Sequence, residues 1–207
     1  LYTEAAWLTV RIAAAGICGA LILGLICGVI RYYKVPVLHR VTGIYIELSR
    51  NTPLVVQLVF LYFGLPRAGI VLQSEICAAA GLIFLGGSYM AETFRSGLET
   101  VGKSQTESGL SLGFRRTQIF FYILLPQAAA AAVSGIGANV IFLLKETSVF
   151  SIVALADLMY VAKDLIGLYY KTDEALFLLA VCYLMILLPV SILFTLLERR
   201  LRYAGYG

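Results

Sequence analysis

The chain has 207 residues, 60% of them hydrophobic and 14% charged, with a formal net charge of +4 at pH 7. A soluble domain has about 45–50% apolar and about 25% charged residues, and one this small has too much surface to hide such an excess. The composition therefore argues against a soluble all-α core and for an integral membrane protein. The positive charge gathers in a few loops, which reports orientation in a bilayer and not affinity for nucleic acid.

No charged leader precedes the first apolar segment, so no signal peptide is expected. Residues 8–30 form the first span, long enough at about 20 residues per crossing. Trp7 at its start suits the headgroup layer. Gly24 and Gly28 make a GxxxG pattern that permits close helix approach, and Arg11 reaches the outer interface by snorkelling. A short basic loop at 31–40 carries Arg31, Lys34, His39 and Arg40.

The second apolar region, 41–65, is interrupted by Glu47, Ser49, Arg50, Asn51, Thr52 and Pro53. Polar groups there must face protein, water or the interface, and Pro53 predicts a break followed by a fresh helix start. After a turn at 66–75, a third span at 76–94 is rich in small residues, Gly81, Gly86 and Gly87 among them, which predicts packing against other helices.

Residues 92–128 are the longest polar interruption between apolar segments, with Arg95, Lys103, Arg115 and Arg116. The fourth span is 119–144, with Pro126 near its start. Residues 145–174 mix apolar and charged residues and predict a partly embedded or interfacial helical segment, not a full crossing. The last span, 175–197, contains Pro189, a predicted kink, and ends on Glu198-Arg199-Arg200-Leu201-Arg202.

The expected architecture is thus all-α and membrane-integral, one domain over 1–207 with about five spans and a polar loop at about 96–118. Alternating sides from that loop puts nine cations inside (Arg31, Lys34, Arg40, Lys103, Arg115, Arg116, Arg199, Arg200, Arg202) against three outside (Arg67, Lys163, Lys171). That bias places the N-terminus outside and the C-terminus in the cytoplasm. Cys18, Cys27, Cys77 and Cys182 lie in apolar stretches without CxxC spacing and read as small buried thiols, so no metal site is expected.

Gly97 to Ser104 fits G-x-x-x-x-G-K-[ST], the phosphate-loop pattern, but the pattern works only between a buried strand and a helix. Here it follows a span, and the chain has no αβ repeat to build the sheet, so no nucleotide binding and no catalytic residue is expected. In the same loop, Gly113 can take positive φ and turn the chain between two short helices. Glu107 near the start of the first would favour its dipole and fix the turn by hydrogen bonds. Leu110, Leu112 and Phe114 supply an apolar knob of the kind that docks into a groove. Pro126 permits a bend where the loop enters the span.

Glu107, Gly113 and Ile123-Leu124-Leu125-Pro126 stand in a register that resembles the EAA loop of ABC importer permease subunits. Ile46 to Leu58 resembles the Glu-x-x-Arg-Gly-Thr-Pro-Leu-Leu-Val-Gln pattern of polar amino-acid permeases, of the histidine, glutamine, arginine and cystine type. Ala91 to Gly97 resembles their Ala-Glu-x-x-Arg-Gly-Gly segment, and Leu143 to Ser148 their Leu-Lys-Asp-[ST]-Ser segment. There are departures. The two alanines that name the loop are Ser108 and Gly109, still small; the glycine of Arg-Gly-Thr-Pro is Asn51, which tolerates a left-handed backbone; and the serine cap after the loop glycine is replaced near Arg115, which predicts a weaker helix start.

The resemblance implies a type I ABC importer fold with cytoplasmic coupling helices, in the bacterial inner membrane. It implies as partners two copies of a separate ATP-binding subunit, which alone binds Mg-ATP, a second permease subunit (the same chain or a paralogue) and an extracytoplasmic amino-acid-binding protein. ATPase coupling would fall to Ser104, Glu107, Gly109, Leu110, Leu112, Gly113 and Phe114. Charges embedded in spans are candidates for substrate contact or gating, which points to Glu47, Arg50, Lys145 and Glu146, with Thr147, Ser148 and Asn139 beside them. Rival readings are an ion-coupled secondary transporter, for which inverted repeats are missing, a small channel subunit, and a membrane enzyme, for which no His or Cys cluster exists.

Overall fold

A computed structural model of the chain describes residues 1–203. The side chains of Arg202 and Tyr203 fall outside the described part, and with them the expected placement of Arg202. Among the described residues there is no strand. The chain runs through α1 (Tyr2–Tyr32), α2 (Leu38–Arg50), α3 (Leu54–Val59), α4 (Ser74–Thr100), α5 (Lys103–Ser111), α6 (Arg116–Ile119), α7 (Leu125–Glu146), α8 (Leu158–Tyr169) and α9 (Thr172–Tyr203). Wide π turns at Phe60–Gly64 and Phe120–Leu124 continue α3 and join α6 to α7; 3-10 turns at Leu65–Ala68 and Thr147–Val153 extend α3 and α7.

Four runs are long and apolar enough to cross a bilayer: α1, α4, Arg116–Val153 and α9. The fifth expected span is a broken rod, α2 followed by α3, with its break at Asn51–Pro53. Pro53 stands as the N-cap of α3 and its carbonyl accepts from Val56 and Gln57, the fresh start that proline dictates. Asn51 is not left-handed. Its φ is −92°, and its side-chain amide instead donates to the Glu47 carbonyl at 2.8 Å, closing the last turn of α2 without a positive φ.

The core grows from α1 against α4, the most extensive helix pair. The pair is antiparallel, with Arg11 bonded to Glu75 at one end and Arg31 facing Glu92 at the other. Arg11 therefore has an ion partner where the sequence predicted only snorkelling. A Cβ on Gly24 would lie 2.3 Å from Met90 Cβ, and one on Gly28 2.9 Å from the Ala91 carbonyl. The GxxxG close approach is thus an intrachain crossing of α1 on α4. Dispersion between close backbones drives such packing in lipid, where apolar burial supplies little. Gly86, facing Ala20 and Leu143, brings α7 onto the same pair.

Cys18 is exposed, contrary to the expectation for all four cysteines, because it sits on the face of α1 turned away from α4; Cys27 and Cys77 are buried. α8 has 12 residues, about 18 Å of helix at 1.5 Å per residue and too short for a hydrocarbon layer of about 30 Å. It packs Leu158, Val161 and Ala162 against Ala5 and Leu179, at the end of the bundle opposite α5. α7 runs on through Lys145 and Glu146, so the irregular segment begins later than the sequence predicted, at Thr147. Pro189 lies inside the continuous α9.

Candidate functional site: a broken span and a projecting loop

The break between α2 and α3 is held from outside its own turn. Gln57, on α3 and 8% exposed, donates from Nε2 to the carbonyls of Thr52 at 2.9 Å and Ser49 at 3.2 Å. Carbonyls only accept, so the amide orientation is fixed: Nε2 faces the break and Oε1 is left buried and unpartnered among protein atoms. Two further bonds tie α2 to α4, since the Tyr45 and Ser49 hydroxyls both donate to the Phe84 carbonyl, at 2.7 and 2.8 Å. The break is therefore a fixed feature of the span. It holds Glu47 and Arg50 exposed on one face of α2, and the Arg50 guanidinium lies 4.9 Å from the centroid of the Tyr89 ring.

Tyr89 leads across to α7. Its ring stands 5.1 Å from that of Phe142, and one turn along α4 the Thr93 hydroxyl accepts from Asn139 Nδ2 at 2.9 Å. Asn139, Phe142 and Glu146 are three and four residues apart, so they share one stripe of α7. Asn139, Glu146 and Ser148 are partly buried, and Lys145 is exposed. Thr147 is fully buried; its hydroxyl donates to the Leu144 carbonyl and lies 3.3 Å from Tyr183 on α9, so it faces the bundle interior. Arg50, Tyr89, Asn139 and Phe142 thus form one line across three helices, with Lys145 and Glu146 further along α7. Neither Tyr89 nor Gln57 was singled out from sequence. A polar residue one turn past a helix break, inside an apolar run, is the signal that could have found Gln57.

The exposed face of α7 is small or polar. Ala131, Ser134, Ala138 and Lys145 are exposed at helical spacing, a stripe of small and polar side chains. At the α5 end, Glu92 receives the Arg95 guanidinium at 2.7 Å and faces Arg31 Nε at 3.7 Å; Arg95 also binds Glu99 at 2.6 Å. Glu92 therefore joins the end of α1 to the last turns of α4.

Beyond that cluster the chain projects. α4 continues to Thr100, so the loop between long helices narrows to 101–115. Gly97–Ser104 is the last turns of α4 and the first of α5. A Cβ on Gly97 would lie 2.6 Å from the Ala128 carbonyl, so this glycine serves a helix crossing and no phosphate loop is built. α5 ends at Ser111 with Leu112 as its C-cap, and the next residue, Gly113, has φ +80°; Gly113 N–H donates to Leu110 O at 3.0 Å and Phe114 N–H to Gly109 O at 3.1 Å. These two bonds make a Schellman cap, as the sequence predicted for Gly113.

Glu107 is the fifth residue of α5 and not in its first turn; among the described residues its carboxylate makes no bond, so it does not fix the turn. Glu107, Ser104, Leu110, Leu112, Gly113 and Phe114 are all exposed. Gly109 is buried: a Cβ there would lie 2.9 Å from Ile119 Cγ1, so its lack of a side chain seats α5 on the following limb. Arg115 lacks a capping side chain, but Gln118 Oε1 accepts from Arg115 N–H at 2.8 Å, supplying the reciprocal half of a capping box. The π turn at Phe120–Leu124 follows, closed by Leu125 N–H on Phe120 O just ahead of Pro126, which has no N–H to give.

Residues 20–203 match the family model described as binding-protein-dependent transport system inner membrane component. The chain is 33% identical over 204 residues to the glutamine transport system permease protein of Escherichia coli (strain K12), covering 98% of this chain and 93% of that one. It is 36% identical over 159 residues to the probable glutamine ABC transporter permease protein of Bacillus subtilis (strain 168), covering 77% and 73%. Among solved structures, a crystal structure of an amino acid ABC transporter with histidines superposes with a TM-score of 0.87 at 28% identity, covering 96% of this chain and 93% of that one. The inward-facing methionine ABC transporter matches in fold, with a TM-score of 0.83 at 18% identity over 97% and 96%. This chain belongs to the family of binding-protein-dependent transport system inner membrane components, and it is a multi-pass permease component of an ABC importer with the type I fold.

Proposed function

We propose that this permease, one domain over 1–207, carries a polar amino acid inward across the bacterial inner membrane, with glutamine the first candidate because its relatives are named for it. The transport complex pairs it with a second permease, a copy or a paralogue, with two ATP-binding subunits that hold Mg-ATP, and with an extracytoplasmic amino-acid-binding protein. The N-terminus lies outside, and α5 and the C-terminus lie in the cytoplasm, where the basic loops gather.

The observation that carries this reading is α5 itself. It stands at the end of the bundle, seated through Gly109 and turned by Gly113, with Glu107, Leu110, Leu112 and Phe114 all exposed. A short helix that offers apolar side chains beside an unpaired carboxylate suits a groove on a separate subunit. Closure of the ATPase pair moves α5, and the π turn before Pro126 passes that movement to α7. Glu47, Arg50, Asn139, Lys145, Glu146 and Ser148 then take the zwitterion on the open polar side, and Thr147, locked to Tyr183, positions the segment that carries them.

The test is uptake and ATP hydrolysis by the reconstituted complex. Glu107→Ala and Gly113→Arg should each leave the permease in the membrane while separating hydrolysis from transport. Normal uptake in both variants would end the assignment of α5. Glu146→Gln should change affinity or selectivity among amino acids, and unchanged uptake across them removes Glu146 from the path.

A further inference from the structure

A second polar site adjoins the line from Arg50 to Glu146, meeting it at Thr93 and extending toward α5. Between the last turns of α4 and the first half of α7 is an open cleft of about 500 Å³, on the α5 side of the molecule. Its floor is made of small residues where the helices meet: a Cβ on Gly97 would lie 2.6 Å from Ala128 O, and one on Gly135 2.8 Å from Thr93 Cγ2. Its α4 wall is polar, with Glu92, Arg95 and the Ser96 hydroxyl, and Ala131 is exposed opposite them on α7.

The charged walls are not used up by their own ion pairs. Arg95 has five N–H groups. Nε and one from Nη2 go to Glu92, and one from Nη1 goes to Glu99, which leaves two. On Glu92 both of these bonds fall on Oε2, while Oε1 faces only Arg31 Nε, at 3.7 Å, beyond hydrogen-bond reach. The Glu92 and Arg95 side chains are 25% and 29% exposed, so they are poorly solvated yet reachable. A residual donor pair on a guanidinium beside a residual carboxylate acceptor, three residues apart on one helix face, matches the carboxylate and ammonium of an α-amino acid. The small floor and open mouth leave room for its side chain.

We infer that this cleft is a second station for a free α-amino acid on the α5 side, with Arg95 taking the carboxylate and Glu92 the ammonium. The inference rests on the amino-acid reading above. It adds a consequence: a ligand held between α4 and α7 favours this arrangement over one in which the cleft closes, so amino acid accumulated on that side slows further uptake. The station also carries weak side-chain selectivity, because no wall opposite Arg95 and Glu92 is polar enough to read the side chain.

The experiment uses the complete transport complex in proteoliposomes, with binding protein and labelled L-glutamine, L-histidine or L-arginine outside, ATP inside, and the same unlabelled amino acid inside at rising concentration. Inhibition is expressed against the same protein's uptake into vesicles without internal amino acid. Internal amino acid should inhibit the unmodified complex, and Ala131→Phe, which fills the cleft from α7, should raise the inhibitory concentration about tenfold or more, the scale of one lost charge-assisted contact. Ser96→Leu, from the α4 wall, should act in the same direction and guards against a packing fault peculiar to Ala131→Phe. No inhibition of the unmodified complex, or the same inhibitory concentration in it and in both variants, overturns the station and leaves the transport reading standing. No uptake of any of the three amino acids by the unmodified complex, with ATP hydrolysis intact, overturns the transport reading itself.

Discussion

Gly113→Ala isolates one physical quantity at the loop that couples the two limbs. The residue has φ +80° and no atom lies within 4 Å of the Cβ that alanine would add, so no steric term enters. What remains is the cost of a left-handed backbone in an L-residue, roughly 1–2 kcal/mol. That cost falls on the Schellman cap, on the bonds from Gly113 N–H to Leu110 O and from Phe114 N–H to Gly109 O. Hydrogen exchange of the α5 amides should therefore speed up by a factor of ~5–30, the equivalent of 1–2 kcal/mol, with the long helices unaffected. Gly113→Asn should lie between glycine and alanine, since asparagine tolerates this backbone better.

Gly109→Ala provides the contrast. Its backbone is ordinary, but the new Cβ would lie 2.9 Å from Ile119 Cγ1 and 3.2 Å from Ile119 Cδ1 and Ile123 Cδ1. Ile119→Ala, which removes both Cγ1 and Cδ1, should relieve the second defect and not the first. Wild-type exchange in Gly113→Ala, or its rescue by Ile119→Ala, would refute the assignment of Gly113 to backbone conformation.

Three other outcomes follow from the packing. Gln57→Leu removes two bonds and leaves the Ser49 and Thr52 carbonyls short of partners at the break, a loss of about 2–3 kcal/mol at about 1 kcal/mol per bond plus desolvation; thermal unfolding in detergent that matches wild type would show that the break holds without it. Gly24→Val forces a side chain into Met90 Cβ at 2.3 Å and the Met90–Ala91 backbone at 3.0 Å, so α1 should separate from α4 and the protein should fail to elute as a single species in size-exclusion chromatography; normal elution would contradict the crossing. Asp157, the fully buried N-cap of α8, has its pKa pushed up to about 6 by burial. Because the folded state then holds the proton more tightly than the unfolded chain, at about 3.9, stability should fall as pH rises from about 4 to about 6 and stay level above, by about 2–3 kcal/mol in all. Asp157→Asn keeps an acceptor for Tyr160 N–H and should abolish that slope, which thermal unfolding at pH 4, 5, 6 and 8 would test; parallel profiles would argue against it.

Much of this architecture is written locally in the chain. The apolar runs of α1, α4, α7 and α9, the restart at Pro53, the turn at Gly113 and the short α8 all follow from rules that operate within one or two helical turns: span length, a missing N–H, a positive φ, a mixed polar pattern. The embedded charges at Glu47, Arg50, Lys145 and Glu146 were legible for the same reason, since a charge in an apolar run stands out wherever the helix ends up. Periodicity also told that Gly24 and Gly28 share a face, though not what that face meets.

The partners were decided only by tertiary structure. Gln57 reaches back to Ser49 and Thr52 across a break whose angle no local rule supplies. Glu92 meets Arg31 from 61 positions away, Arg11 meets Glu75 from 64, and Arg50 rests on Tyr89 from a different helix. Thr147 turns inward to Tyr183, 36 positions on, from the face of α7 that also buries Leu143 and Leu144, while Lys145 stays exposed. In a bilayer every spanning helix is apolar on most faces, so hydropathy marks the crossings but carries almost no information on which helices are neighbours. That choice is made by small residues, hydrogen bonds and ion pairs whose two halves lie far apart in the chain.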